Sequence, residues 1–259
     1  MNEFCSYPFD SLFFQPNGEV LVCCNAWMKK SIGNFFTQSL TEIWNSTAAQ
    51  NIRESILDGS FRYCRADLCS FIITGKTKIL PQDKRLLKII QERKTILEHG
   101  PRLISLNYDF SCNLYCKSCR NKVIVSDIET QRKLINFQDS LLSSGMFKDV
   151  RELTISRIGD PFSSPVYMDL FTKIEQHKFP QLKIDIRTNG LLLTPQNWER
   201  IKKVHYAINM IYISIDAATS KTYNQLRRGG DFKKLKRNLL FLKKLKQRRD
   251  FKIHLYFLV

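Results

Sequence analysis

Three cysteines fall within eight residues near the middle of the chain, in Cys112-Asn-Leu-Tyr-Cys116-Lys-Ser-Cys119. Thiolates this close together can hold three irons of a [4Fe–4S] cube. The fourth iron is then left without a protein ligand and is open to a substrate. Electron-transfer clusters carry four cysteines, so a set of three points to catalysis. Structural zinc wants four closed ligands. A remote fourth ligand such as His99 has no support from spacing.

Five further cysteines, Cys5, Cys23, Cys24, Cys64 and Cys69, lie in the first 70 residues, and none follows Cys119. The opening MNEFCSYPFD lacks a basic segment followed by an apolar one, so no secretory leader is read there. No stretch approaches the roughly 20 apolar residues of a membrane helix. A cytoplasmic protein without membrane attachment is expected. In that compartment cysteines serve metal binding or catalysis rather than disulfides.

The elements that must position these residues can be read from hydrophobic periodicity. Strands are expected at 103–108, 152–156, 182–188, 209–216 and 252–259. Helical patterns lie between them at 130–144, at 166–177, from Pro195 onward, and at 220–227 with 232–249. This alternation predicts an α/β fold with a parallel sheet and right-handed crossovers, as a partial β/α barrel. A further amphipathic helix is expected over 82–99, with Leu86, Ile89, Ile90 and Leu97 on one side and Gly100-Pro101 as its stop. The domains expected are a cysteine-rich unit at 1–80, a helical linker at 81–101 and the barrel at 102–259.

In such barrels functional residues sit at the C-terminal ends of strands. The cysteine loop follows the first expected strand and Ile158-Gly159-Asp160-Pro161 follows the second. Thr188-Asn189-Gly190 ends the third, and Ser214-Ile215-Asp216 ends the fourth. Each motif alone is an ordinary turn sequence. Their recurrence at four successive strand ends marks one site.

Lys and Arg number 41 against 24 Asp and Glu, a net charge of +17 that favours anionic partners. The densest basic run, 233–249, carries Leu235, Leu239, Leu242 and Leu245 at helical spacing, so its cations read first as the outer face of a packed helix. No phosphate-binding loop and no nucleophile elbow is present. His99, His177, His205 and His254 show no metal-binding spacing, although His254 falls on the fifth strand, where it could reach the barrel interior.

The C-x3-C-x2-C spacing, with Tyr115 just before the second cysteine, resembles the radical S-adenosylmethionine (SAM) superfamily. The resemblance implies a [4Fe–4S] cluster on Cys112, Cys116 and Cys119 with SAM chelated at the free iron. Reductive cleavage would then give a 5′-deoxyadenosyl radical that abstracts hydrogen from substrate. It assigns Gly159, Asp160 and Pro161 to the SAM amino group, with Asp160 where the family more often has Glu. Tyr115, Thr188 and Asn189 would join the cofactor contacts, and Ser214 and Asp216 would lie near the ribose and carboxylate. The run from Ser214 through Tyr223 to Arg227-Arg228-Gly229-Gly230 resembles that of peptide-modifying members. There one arginine pairs with the SAM carboxylate, and Arg227 is favoured over Arg228.

The first 70 residues resemble the SPASM or Twitch auxiliary-cluster module. The resemblance rests on Cys5-Ser-Tyr-Pro8, Pro16-Asn-Gly18 leading to Cys23-Cys24, Gly33-Asn34, Ile43-Trp44-Asn45, Arg53 and Cys64 with Cys69. It implies a second iron–sulfur cluster on Cys5, Cys23, Cys64 and Cys69, with Cys24 interchangeable with Cys23 and zinc as the rival occupant. Better-known relatives carry the module after the barrel, and here it comes first. The family barrel has six strands, and the sixth is expected to be missing beyond Val259, as in a C-terminally shortened chain. A peptide or protein substrate is implied, with an external electron donor of flavodoxin or ferredoxin type. The alternatives are a catalytically incompetent cluster-binding partner or scaffold, a tRNA-directed radical enzyme, and a zinc-containing nucleic-acid binder.

Overall fold

The computed structural model describes residues 3–28, 30–78 and 81–257. The chain divides into two units, one of Met1–Ser105 with Ser143–Val150 and one of Leu106–Leu142 with Arg151–Val259.

The first unit opens with helix α1 (Tyr7–Asp10) and strands β1 (Ser11–Phe14), β2 (Glu19–Leu21) and β3 (Gly33–Asn34). Phe13 pairs with Leu21 and Val20 with Gly33, giving an antiparallel meander turned by Pro16-Asn17-Gly18. Helices α2 (Leu40–Trp44) and α3 (Thr47–Leu57) follow. Each begins on a serine hydroxyl, and Ser39 forms a capping box with Glu42. α3 buries Ala49, Ile52, Ile56 and Leu57. It also buries Arg53, whose guanidinium stacks on Trp44 at 4.4 Å. That guanidinium donates to the carbonyls of Pro8, Trp44 and Thr95 and to Asn45 Oδ1. Burial pulls its pKa down to about 9. Helices α4 (Ser70–Ile73) and α5 (Lys84–Glu92) and strand β4 (Leu103–Leu106) complete the unit, β4 giving its last residue to the second.

In the second unit α6 (Ile128–Ser143), whose last residue belongs to the first, leads to β5 (Glu152–Ile155), α7 (Pro165–Lys173), β6 (Lys183–Thr188), α8 (Pro195–Arg200), β7 (Ile208–Ser214), α9 (Ser220–Leu226), α10 (Phe232–Lys246) and β8 (Lys252–Tyr256). β5, β6, β7 and β8 pair in that order and all in parallel, while the carbonyl of Leu106 accepts from Ser156 N–H. The crossover helices start on sequence-encoded caps: Ser164 before Pro165, Thr194 before Pro195, Thr219 and Asp231. Strand alternation sorts the faces. On β6, Ile184, Ile186 and Thr188 are buried, while Asp185 and Arg187 point the other way and are half-buried. On β7, Ile211 and Ile213 alternate with Tyr212 and Ser214. The isoleucine face takes the hydrophobic burial, which leaves the opposite face of the strands polar.

The mixed α/β class and the parallel strands agree with the sequence expectation. Two details differ. The helix expected over 82–99 stops at Glu92, because Arg93 adopts a left-handed φ of 49° and Lys94 N–H turns back to the carbonyl of Ile89. Leu97 is buried, but from the irregular segment beyond. On α10 the buried stripe is Leu235, Asn238 and Leu242, with Leu239 and Leu245 only half-buried. The amide of Asn238 donates to the carbonyls of Gly190 and Leu191, so a polar residue in the stripe ties down the turn after β6. Leu258 and Val259, the end of the strand expected at 252–259, lie outside the described residues.

Candidate active site

The second unit contains a cavity of about 470 Å³ at the C-terminal ends of its strands. Cys112, Cys116 and Cys119 line it, with Gly159 after β5, Thr188 and Asn189 at the end of β6, Ser214 and Asp216 at the end of β7, and Arg227 after α9. These are nine of the twelve positions singled out for this site.

The cysteine loop is held from several sides. Cys112 N–H bonds the carbonyl of Ile124, and Cys119 and Arg120 N–H both turn back to that of Cys116. Tyr115 and Lys117 N–H reach the carbonyls of Arg228 and Leu226. Arg120 spans the loop, its guanidinium donating to the carbonyls of Phe110 and Ile158 and, at 3.4 Å, to Cys119 Sγ. The Asn189 amide sits 3.9 Å from Cys112 Sγ and 2.9 Å from Asn113 Oδ1. Burial, aided by nearby Asp160, pushes the Cys112 thiol up to about 11, and Arg120 acts against that. A bound cation would reverse that balance, since ligation requires the thiolate.

Arg227 pairs with the carboxylate of the cavity wall, Asp216. Its Nη2 is 2.5 Å from Asp216 Oδ2, its Nη1 is 3.7 Å from Cys116 Sγ, and its buried Nε has no partner. The hydroxyl of Tyr223 is likewise buried without a partner, and burial raises this phenol to about 12. Ser156 and Asp216, both on the cavity wall, hold left-handed φ of 57° and 61°. Such backbone strain in non-glycine residues is concentrated at functional sites.

The other three positions do not line the cavity. Asp160 is 1% exposed and does not line the cavity. Its carboxylate accepts from Thr188 Oγ1, Asn189 N–H and Phe162 N–H, which ties the end of β5 to the end of β6. Burial raises its pKa and these donors oppose the rise. Pro161 is buried beside it and also leaves the cavity to Gly159. A Cβ on Gly159 would meet the carbonyl oxygens of Ser111 and Asp109 at 2.6 and 2.7 Å, so only glycine lets the two loops approach. Tyr115 lies against Gly229, whose added Cβ would be 3.0 Å from the ring; its ring supports the loop instead of facing the cavity.

The sequence reading passed over Arg120, Arg157, Arg187, Tyr212 and Tyr256, all on the cavity wall. The signal was present in the period of two on β6 and β7, where a charge and a ring alternate with isoleucine. His254 lies against both Tyr212 and Tyr256, which also lie against each other. His99 bonds Arg85, and His205 stacks on Trp198.

The first unit holds the second thiol set. Cys5, Cys23, Cys64 and Cys69 line one small cavity with Tyr7, Trp27, Met28, Phe61 and Phe71. Cys24 does not line it; its carbonyl accepts from Trp27 and Met28. Burial pushes Cys5 up to about 12 and Cys64 to about 11, and it raises Cys23 as well, each further raised by its neighbouring thiols. Arg65 N–H bonds the carbonyl of Trp27, which fastens the loop bearing Cys64 and Cys69 to the one bearing Cys23. Among the described residues no three His, Cys, Asp or Glu side chains close on a single-ion centre. An iron–sulfur cube is held from a wider frame than a lone ion, with one thiolate to each iron.

Comparison with known proteins places both units. The family model described as "Radical SAM superfamily" matches residues 110–259, more than half of the chain, and the SPASM model, "Iron-sulfur cluster-binding domain", matches residues 5–70. No curated protein matches. A solved structure, "Crystal structure of Streptococcus suis SuiB", is 18% identical, covering 87% of this chain and 55% of that one with a TM-score of 0.36. The chain thus spans about half the length of that protein. It belongs to the radical SAM superfamily, whose cofactors are a [4Fe–4S] cluster and SAM, and carries ahead of that region a SPASM module for auxiliary iron–sulfur.

Proposed function

We propose that this protein is a radical SAM enzyme that cleaves SAM reductively and abstracts hydrogen from a peptide or protein substrate. The observation that carries this reading is the convergence of Cys112, Cys116 and Cys119 on one cavity with the strand-end residues Gly159, Asn189, Ser214, Asp216 and Arg227. Three thiols without a fourth leave one iron of a cube available. When bound, the cluster and SAM supply a reductive C–S cleavage that yields a 5′-deoxyadenosyl radical.

The chain's own residues fit that pair. Arg120 holds the cysteine loop against the strand ends and offers a donor to Cys119 Sγ. Arg227, whose Nε has no partner and whose Nη2 pairs with Asp216, would take the carboxylate of SAM. Gly159 and the backbone before it, rather than the side chain of Asp160, would meet the amino group. Ser214 would offer a hydroxyl to the ribose. The four thiols of Cys5, Cys23, Cys64 and Cys69 would hold the auxiliary cluster in an almost wholly apolar setting. Electrons would come from a flavodoxin- or ferredoxin-type donor.

The test is SAM turnover. Protein reconstituted without oxygen, then reduced in the presence of SAM, is expected to release 5′-deoxyadenosine and methionine. Protein carrying its clusters that releases neither would remove the reading.

A further inference from the structure

We propose that Arg187, assisted by Arg157, is the point at which the cavity receives a carboxylate of the substrate. The peptide handled here would then present an acidic side chain or its own C-terminal carboxylate to the site. This rests on the peptide-directed reading above and goes beyond it by naming the group recognised.

Four arginines line the cavity, against one carboxylate, that of Asp216. Two of the four are committed. Arg227 pairs with Asp216, and Arg120 is spent on the carbonyls of Phe110 and Ile158. Arg157 and Arg187 have no acidic partner among the described residues. The nearest acid on the same strand as Arg187, Asp185, accepts from the amide of Asn209.

Arg187 is the more confined of the two. It projects from the inner face of β6, and its register partner on β7 is Tyr212, over whose ring its guanidinium lies at 4.1 Å, with the ring of Tyr256 at 5.7 Å. Its Nε is buried and has no hydrogen-bond partner. A guanidinium that is always charged, half-buried and short of acceptors carries an uncompensated desolvation cost. Stacking on an aromatic face offsets part of this cost and fixes the plane of the group. Arg187 lines the cavity, and a planar guanidinium held by stacking matches the two oxygens of a carboxylate. Arg157 lines the same cavity from the segment after β5, and both cations bear on the phenol of Tyr212.

Arg187 takes a face of the Tyr212 ring that a base would otherwise use. Tyr212, His254 and Tyr256 stack on one another at 4.8–5.7 Å, and Arg187 covers Tyr212. A peptide carboxylate suits this wall better than a nucleotide.

The test uses the full chain, anaerobically reconstituted and saturated with SAM, titrated calorimetrically with three synthetic alanine nonapeptides. The first has a central Glu and an amidated C-terminus, the second a central Gln and an amidated C-terminus, and the third a central Gln and a free C-terminus. The proposal expects the first or the third to bind about tenfold or more tighter than the second; which of the two does so identifies the source of the carboxylate. Arg187→Gln should abolish the preference, and Arg187→Lys should retain part of it. SAM affinity of both variants should stay within about twofold of the parent.

No preference in the parent protein, or a preference that survives Arg187→Gln, overturns the proposal. So does a loss of SAM affinity in Arg187→Gln with the peptide preference intact, which would assign Arg187 to SAM. Iron per chain checks that each variant has assembled. If Arg187→Gln does not assemble, Arg187→Lys and Arg157→Gln carry the test, and an unchanged preference in both overturns it. Formation of 5′-deoxyadenosine is read separately without peptide. A protein that shows the preference but never cleaves SAM loses the proposed reaction and keeps the carboxylate site, and the converse result separates them the other way.

Discussion

Two adjacent cysteines show what a single side-chain direction decides. Cys23 and Cys24 are indistinguishable by type, yet only Cys23 lines the cavity shared with Cys5, Cys64 and Cys69. Cys23→Ala should therefore lower reconstituted iron by about four per chain, while Cys24→Ala leaves it unchanged, as read by metal analysis. Equal losses in the two variants would mean that either thiol can serve. Gly159 gives a second prediction at this scale. Its missing side chain lets backbone carbonyls from the cysteine loop approach, so Gly159→Ala should cost about 1–3 kcal/mol by overpacking. Thermal unfolding would show that cost, and SAM affinity should fall with it. Spacing alone made Cys112, Cys116 and Cys119 legible in the sequence, because chemistry constrains both residue type and interval. The directions of Asp160 and Tyr115 were not legible, because a motif gives position without direction. Asp160 is turned inward to tie two strand ends, and Tyr115 is turned onto Gly229.

Among the elements, the parallel strands were readable because each is a short apolar run bounded by turn residues, and each crossover helix is announced by a Ser, Thr or Asp cap. The helix ending at Glu92 was overextended because apolar spacing continues to Leu97, while the turn at Arg93 carries no glycine to announce it. Arginine in a left-handed conformation leaves no such mark. The inner face of the barrel strands was missed for another reason. Arg187 and Tyr212 alternate with isoleucine in the sequence, and only with the strands side by side do they form one cavity wall. In the first unit, the buried face of α3 includes a charge among its apolar residues. Arg53 satisfies four oxygens from a fully buried site. Arg53→Met would fill the space but orphan those acceptors, so a loss of about 3 kcal/mol or more is expected in urea unfolding. An unchanged midpoint would show that the freed carbonyls find other donors.

For the molecule as a whole, the net charge of +17 agrees in sign with the two cavity arginines that have no acidic partner among the described residues, as the proposed carboxylate recognition requires. No helix among the described residues is long and apolar enough to cross a membrane. The two thiol sets are built on separate units, so loss of one should spare the other. The most direct test of the central claim is iron, sulfide and zinc per chain in protein purified and reconstituted without oxygen, measured beside a Cys112/Cys116/Cys119→Ala variant. Two [4Fe–4S] clusters predict about eight irons per chain, falling to about four in the variant. Stoichiometric zinc with little iron, or the same iron content in both proteins, would contradict the account.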